Sequence, residues 1–137
     1  MRLLFVINQF YKGGAETSLL NLLKQLSGRK EYEIDLMILN QYPIQGAVSL
    51  INQVPKEIHV LDIYKLQKRI SVFNRIRARF FLTTEEKRCD PSTALLLLRE
   101  KEYDWAFHVG EWWPPALVAT KVKAKHKAAW IHSDLTK

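Results

Sequence analysis

Short apolar runs alternate along this chain with segments in which apolar residues recur every three or four positions. The first run covers residues 3–7 and is followed by the glycine pair Gly13-Gly14. The next segment has the spacing of an amphipathic helix, which is carried by Leu19, Leu20, Leu22, Leu23 and Leu26. Residues 32–39 then form a nearly continuous apolar run, which is typical of a largely buried strand. This order predicts a strand–helix–strand unit with a right-handed crossover.

The same alternation continues over the rest of the chain. In order, it predicts a strand at Glu57–Leu61, a basic amphipathic helix from Tyr64 to about Phe81, a helix from Pro91 to about Lys101, a strand at Trp105–Val109, a helix from Pro114 to about Lys125 and a strand at Ala128–Ile131. Strands that alternate with helices predict an α/β fold, a Rossmann-like doubly wound parallel sheet with strand order 3-2-1-4-5. The length of 137 residues fits one domain.

The predicted parallel strands bring three loops to one edge of the sheet, at residues 8–14, 109–113 and 132–134. In doubly wound sheets, ligands bind outside the carboxyl ends of the strands, where the strand order reverses. The sequence therefore predicts the functional residues in these loops.

Gly13 and Gly14 precede the first helix, and their pairing has two interpretations. Glycines allow positive φ and a close approach of a ligand, and the free N–H groups of a helix's first turn attract phosphate or carboxylate groups. The alternative is a tight turn without a ligand, with Glu16 serving the helix start. The spacing departs from G-x-G-x-x-G, so it does not by itself indicate a dinucleotide site.

Glu111 and the indoles of Trp112 and Trp113 lie between the predicted fourth strand and the helix that begins at Pro114. A carboxylate accepts hydrogen bonds from sugar hydroxyls, and indole rings can stack on a sugar ring. The competing interpretation is that Glu111 complements the helix dipole while the indoles pack against the sheet. For the indoles we favour packing, and for Glu111 both interpretations stand.

His132 and Asp134 follow the predicted fifth strand. An imidazole there can donate a hydrogen bond to a substrate hydroxyl or phosphate near neutral pH, and Asp134 either orients it or caps the next segment. A structural histidine is the alternative. The other histidines, at positions 59, 108 and 126, have no comparable setting, and no H-x-x-x-H spacing indicates a metal site.

The segment from Lys65 to Arg88 is rich in basic residues within a chain whose formal charge is +7. Its apolar residues recur at helical spacing, which is typical of contact with an anionic membrane surface through Arg75, Arg77 and Arg79. The alternative is a solvated helix that covers the sheet. The lack of a long apolar run and of a signal-peptide pattern leads us to expect a cytoplasmic protein.

The order and spacing of several segments resemble glycosyltransferase family 4. Residues 13–23 resemble its G-G-A-E-x-x-L-x-x-L segment, and residues 32–36 are similar to its second strand. Residues 129–135 resemble the W-I-H-x-D-L segment of a bacterial branch that builds capsular and other surface polysaccharides. Residues 103–104 and 110–111 stand where that branch has a Y-D strand and a following glutamate.

This resemblance implies the amino-terminal half of a GT-B fold, with residues 1–137 as a partial, acceptor-side domain and without the carboxyl-terminal donor domain. It implies an enzyme of the hexosyltransferase type that moves a sugar, with retention, from a UDP- or GDP-sugar to a polysaccharide or lipid-linked acceptor. Such enzymes usually bind no metal. We expect the fragment alone to bind no cofactor and to be inactive, because the family's donor domain holds the nucleotide with glutamates spaced E-x7-E.

The resemblance also assigns roles to particular residues. His132 matches the histidine that the family places beside the donor sugar, which makes it the catalytic candidate. The expected substrate-binding residues are Gly13, Gly14, Glu111 and Asp134. The parent enzyme is expected to be peripheral on the inner face of the membrane, with no nucleic-acid partner.

Two other classes of function remain open. A nucleotide-binding Rossmann domain of an oxidoreductase would have a third glycine after Gly14 and an acidic residue at the end of the second strand, where Asn40 stands. A basic module without enzymatic activity would bind membranes or nucleic acid through residues 65–88, and its binding would weaken with salt.

Overall fold

The computed structural model describes residues 1–66, 97–99, 101–110, 118–119 and 121–130. Their strands form one five-stranded sheet in which every neighbouring pair is parallel. The strands are β1 (Arg2–Ile7), β2 (Glu33–Ile38), β3 (His59–Asp62), β4 (Glu102–Val109) and β5 (Lys123–Trp130). The order β3-β2-β1-β4-β5 confirms the predicted order 3-2-1-4-5 and the α/β, Rossmann-like fold class.

The first helix, α1 (Gly14–Ser27), connects β1 to β2 and packs on one face of the sheet. A 3-10 helix (Ile51–Gln53) follows β2, and the short helix α2 (Ile63–Leu66) follows β3. Residues 97–98, 118–119 and 121 are also helical. The basic segment beyond α2 lies outside the described residues, as do Arg75, Arg77 and Arg79.

The central strand β1 separates two apolar clusters because its successive side chains point to opposite faces. The cluster on the α1 face is built from Leu3, Phe5, Ile7, Phe10, Leu19, Leu20, Leu23, Ile34, Leu36, Ile38, Leu50, Ile58 and Val109. The cluster on the other face is built from Leu4, Val6, Met37, Leu39, Leu61, Ile63, Leu98, Tyr103, Ala106, Val118 and Val122. The segments before β4 and β5 therefore cover the face opposite α1, which gives the sheet its two-sided cover.

The predicted helix from Pro114 to about Lys125 is wrong in its last turn. Residues 123–125 belong to β5, which begins five positions before the predicted start at Ala128. Lysine and alanine are good helix formers, so the sequence K-A-K-H-K-A-A favours a helix locally. Pairing along β4 overrides that preference, with Glu102 opposite Lys123 and Val109 opposite Trp130.

Two other strands differ from the prediction at their ends. β4 begins at Glu102 instead of Trp105, and β3 covers His59–Asp62 instead of Glu57–Leu61. Both starts are set by pairing with a neighbouring strand, which local hydrophobicity does not report.

Asp35, in the middle of β2, connects three elements at the face opposite α1. Its Oδ2 accepts hydrogen bonds from the Tyr103 hydroxyl at 2.6 Å and from Lys101 Nζ at 3.2 Å. His59 Nδ1 lies 3.4 Å from its Oδ1. Burial, and then the hydrogen bond and charge of Asp35, raise the pKa of Tyr103 far above its usual value. The cluster therefore connects the start of β4 to β2 across β1, the strand that lies between them.

Candidate functional site

The candidate site lies where the carboxyl ends of β1 and β4 meet. These strands are neighbours in the sheet, with Ile7 opposite Val109. The chain leaves β1 toward β2 and β3 on one side of the sheet, and it leaves β4 toward β5 on the other side. The strand order therefore reverses between them, and a crevice at such a point is where doubly wound sheets bind ligands. The loop of residues 8–13 leaves β1 there, and Gly110 leaves β4 there.

The glycine pair at the start of α1 does not form a tight turn of the kind that requires glycine. Gly13 is extended, with φ −167° and ψ 178°, and serves as the N-cap of α1. Of the described glycines, those with positive φ are Gly46 and Gly110, so Gly14 adopts a conformation open to any residue. Neither glycine therefore uses the positive φ that the sequence allows at these positions.

Space, rather than conformation, distinguishes the two glycines. A Cβ atom built at Gly14 has no other atom within 4 Å, so the first turn of α1 is open at this point. A Cβ at Gly13 would lie 2.5 Å from Oε2 of Glu16, so the Glu16 carboxylate folds back over the N-cap. The first-turn N–H groups of a helix lack intrahelical partners and can donate to a ligand. At α1, such a ligand must share the space with a carboxylate.

The negative charge of Glu16 makes this helix N-terminus less favourable for an anionic ligand than for a neutral one. A diphosphate here would place its negative charge beside that of Glu16, and two like charges at short range repel each other. A neutral hydroxyl has no such cost and can donate to the carboxylate while it accepts from a backbone N–H. The local geometry therefore favours a hydroxyl-bearing ligand over an anionic one.

Paired amide side chains fix the loop that carries the glycines. Asn40 Nδ2 donates to Asn8 Oδ1 at 2.6 Å, and the Asn40 N–H donates to the Asn8 carbonyl at 2.7 Å. Gln9 Nε2 also donates to the Asn40 carbonyl, at 3.2 Å. These bonds join the loop after β1 to the loop after β2, so the two carboxyl ends cannot separate without losing all three.

Gln41 provides a second and more deeply buried connection between the same loops. Its side chain is 7 % exposed, and it is the only buried polar residue in the part of the chain that the structure describes. Its Oε1 accepts from the Phe10 N–H at 2.6 Å, and its Nε2 donates to Ser49 Oγ at 3.3 Å. Because Phe10 is fully buried, this amide satisfies a backbone N–H that water cannot reach.

These polar residues were not predicted from the sequence. The signal is a repeated pair, because Asn8-Gln9 begins one residue after the end of β1 and Asn40-Gln41 begins two residues after the end of β2. Amides in such positions are acceptable in any exposed loop. Only the adjacency of β1 and β2 gives the pairs their partners.

The carboxyl ends of β4 and β5 reach the same edge as the glycine loop. Gly110 follows β4 with φ +115°, a conformation that favours glycine, and its N–H donates to the Trp130 carbonyl at 3.1 Å. His108 is half-buried in β4, and burial lowers the pKa of its imidazole by disfavouring the charged form. Glu111 follows Gly110 directly, and His132 and Asp134 come shortly after Trp130. All three lie outside the described residues.

Comparison with protein-family models, with curated proteins and with solved structures finds no match to this chain.

An apolar cavity of about 660 Å³ lies on the α1 face of the sheet, between α1 and the aromatic residues of β4 and β5. It is lined by Met1, Leu3, Phe5, Leu22, Leu26, Tyr32, Trp105, Phe107, Ala128, Ala129 and Trp130. Trp105 stacks on Phe107 with ring centroids 5.7 Å apart and on His126 at 4.6 Å. The cavity offers few polar groups to orient a substrate, so it is not the candidate site.

Among the residues that the structure describes, no helix is long and apolar enough to cross a membrane. No group of three or more His, Cys, Asp or Glu side chains among them could hold a metal ion. The predicted substrate-binding glycines are thus the only predicted site residues whose geometry can be stated, and they lie at the predicted edge of the sheet.

Proposed function

We propose that this chain is the acceptor-side domain of a retaining glycosyltransferase, whose second domain binds a UDP- or GDP-sugar. The observation that carries the proposal is the open first turn of α1 at Gly14, beside the carboxylate of Glu16, at the point where the strand order reverses. This combination suits a ligand with hydroxyl groups, such as a saccharide acceptor, and is unfavourable for a phosphate.

In the proposed reaction, an acceptor hydroxyl oxygen forms a bond to the anomeric carbon of the donor sugar. The bond from that carbon to the diphosphate breaks, the diphosphate leaves with the electron pair, and the hydroxyl proton is released. Gly13 and Gly14 admit the acceptor to the first turn of α1, and Glu111 accepts hydrogen bonds from its other hydroxyls. His132 donates a hydrogen bond near the donor sugar, and Asp134 orients His132 or caps the next segment.

A test of the reaction uses the complete polypeptide that contains this chain, a panel of labelled UDP- and GDP-sugars, and saccharide and lipid-linked acceptors. Sugar transfer is expected for one donor, and His132→Ala is expected to lower turnover by about 100-fold or more, as for other positioned polar catalytic groups. A thermal melt accompanies each assay. Unchanged transfer with an unchanged melt removes His132 from the mechanism, and a collapsed melt makes it a structural histidine.

A nucleotide-binding Rossmann domain is the second candidate, because the same crevice binds dinucleotides in that class. At the end of β2, however, Asn40 uses its side chain to bond Asn8 and offers no carboxylate to a ribose. Titration of the chain with NAD, NADP and free nucleoside diphosphates separates the two candidates. Tight binding of a dinucleotide, with no sugar transfer by the complete polypeptide, would favour the second.

A further inference from the structure

Three side-chain amides lie together where the chain leaves β1 and β2, and we call Asn8, Gln9 and Asn40 the amide cluster. Asn40 Nδ2 donates to Asn8 Oδ1, and Gln9 Nε2 donates to the Asn40 carbonyl. Each amide side chain carries two N–H donors and an accepting oxygen, so these bonds use only part of what the cluster offers. Gln9 Oε1, Asn40 Oδ1 and the Asn8 N–H groups make no hydrogen bond within the described part of the chain.

The amide cluster is half-buried and is held from both strands. The Leu39 N–H donates to the Ile7 carbonyl at 3.0 Å, and the Asn40 N–H donates to the Asn8 carbonyl at 2.7 Å. The two backbones therefore stay paired beyond the ends of β1 and β2. Because Gln9 uses one N–H on the Asn40 carbonyl, its side chain is ordered before a ligand arrives, and binding costs little of its rotamer freedom.

The groups that remain on Gln9 indicate the chemistry of a ligand. Two adjacent hydroxyl groups of a sugar ring match them together, since one donates to Gln9 Oε1 while the other accepts from the second N–H of Gln9 Nε2. A phosphate uses only the donor, and an ammonium group uses only the acceptor. No charged side chain belongs to the amide cluster, and the Glu16 carboxylate over the neighbouring helix start disfavours an anion. The match is therefore to a neutral vicinal diol.

We propose that Gln9 binds a vicinal diol of the acceptor saccharide, while Asn8 and Asn40 hold the loop and the Gln9 amide in position. This role of Gln9 rests on the proposed function and narrows it, because it names a chemical feature that the acceptor must carry. Gln9 lies in the loop that leaves β1 at the carboxyl edge of the sheet, where the candidate site lies. A ribose also carries a vicinal diol, so a nucleotide is the competing source of the same chemistry.

The test measures binding of the methyl glycosides of glucose, galactose and mannose to the complete polypeptide, by ligand-observed NMR titration without a sugar donor. Their 3-deoxy analogues are the matched ligands, because removal of the 3-hydroxyl leaves no two adjacent hydroxyl groups on the ring. One glycoside or more should bind about tenfold more tightly than its 3-deoxy analogue, since the analogue cannot make both hydrogen bonds. Adenosine and NAD are titrated in parallel as the ribose-bearing ligands.

Gln9→Leu keeps the approximate size of the side chain and removes both polar groups. It should weaken binding of that glycoside by about tenfold and leave binding of the 3-deoxy analogue unchanged, because there the interaction is already absent. A structural effect of the substitution would weaken both equally. Gln9→Ala is measured as a second variant without a new apolar group, and thermal melts establish that the variants fold. Gln25→Leu, at an exposed position of α1, is the control and should bind like the unchanged protein.

Glycoside binding that Gln9→Leu and Gln9→Ala leave unchanged overturns the proposal, as does equal weakening for a glycoside and its 3-deoxy analogue. Failure of all three glycosides to bind also overturns it. Binding of adenosine or NAD that weakens in the Gln9 variants, without glycoside binding, assigns the diol to a ribose and overturns the saccharide. The proposed function fails separately, if a polypeptide that binds a glycoside through Gln9 transfers no sugar from any UDP- or GDP-sugar.

Discussion

Replacement of Gly14 by alanine separates a ligand-binding role of the glycine loop from a structural one. A Cβ at this position meets no atom within 4 Å, and the backbone conformation of Gly14 is one that alanine adopts freely. The folded state therefore gains no strain. The unfolded chain loses conformational freedom, so Gly14→Ala should stabilise the protein by about 0.4–1 kcal/mol. For a chain of this size the melting temperature should rise by roughly 1–4 °C.

The same methyl group should impair function if a ligand approaches the first turn of α1. It would occupy the open space beside the N–H groups and push away a hydroxyl that accepts from them. The displaced hydroxyl also loses its hydrogen bond to the Glu16 carboxylate, and loss of a hydrogen bond to a charged group costs about 1.5–3 kcal/mol, or roughly 10- to 150-fold in affinity. The prediction is therefore a protein that is slightly more stable and markedly less active.

The assay for Gly14→Ala combines a thermal melt with sugar transfer by the complete polypeptide at subsaturating acceptor. Gly28→Ala is the matched control, because Gly28 also has nothing within 4 Å and lies at the other end of α1. It should leave transfer unchanged. If Gly14→Ala transfers sugar as well as the unchanged enzyme, no ligand uses this space. A lower melting temperature would instead refute the account of the glycine as conformationally unconstrained.

Two further predictions concern stability and membrane binding. Tyr103→Phe removes a hydrogen bond to Asp35 and should cost about 2 kcal/mol at neutral pH, by denaturant unfolding. Above about pH 10 the unfolded chain releases a tyrosine proton that the folded chain keeps on Tyr103. The unchanged protein should therefore lose stability as pH rises beyond that value, and Tyr103→Phe should lose less. Equal slopes of the unfolding free energy against pH for the two proteins would contradict this. Replacement of Arg75, Arg77 and Arg79 by Gln in the full-length enzyme should weaken binding to anionic vesicles by up to about 100-fold at low salt, and unchanged binding would leave residues 65–88 a structural role only.

The parts of the fold that the sequence predicts correctly are those with strong local patterns. β1, α1 and β2 follow from an apolar run, a leucine repeat and a second apolar run, and each of these reports burial on a particular face. The sheet order follows from the alternation of elements and the preference for right-handed crossovers. None of these inferences requires knowledge of which residues pair.

The errors fall where pairing decides the structure. The alternation of Lys123, Lys125 and Lys127 with Ala124 and His126 fits a helix as well as an edge strand. The long side chains find partners only in the fold: Lys125 lies 3.1 Å from Asp104, and Lys127 donates to the Ala119 carbonyl at 3.0 Å. Interactions between residues of different elements cannot be read from a local window, so β5 was predicted too short.

The position of the candidate site was predictable, but the physical reason for its glycines was not. Sequence reasoning offered positive φ or ligand access for Gly13 and Gly14, and the structure removes the first for both. The loop needs no unusual backbone conformation because side chains hold it. Asn8 bonds Asn40, and Gln41 satisfies a buried N–H. With the conformation fixed elsewhere, the absence of a side chain at Gly14 has no structural purpose among the described contacts. Gly28 has the same open space at the other end of α1, so the comparison of Gly14→Ala with Gly28→Ala decides whether a ligand uses the space at Gly14.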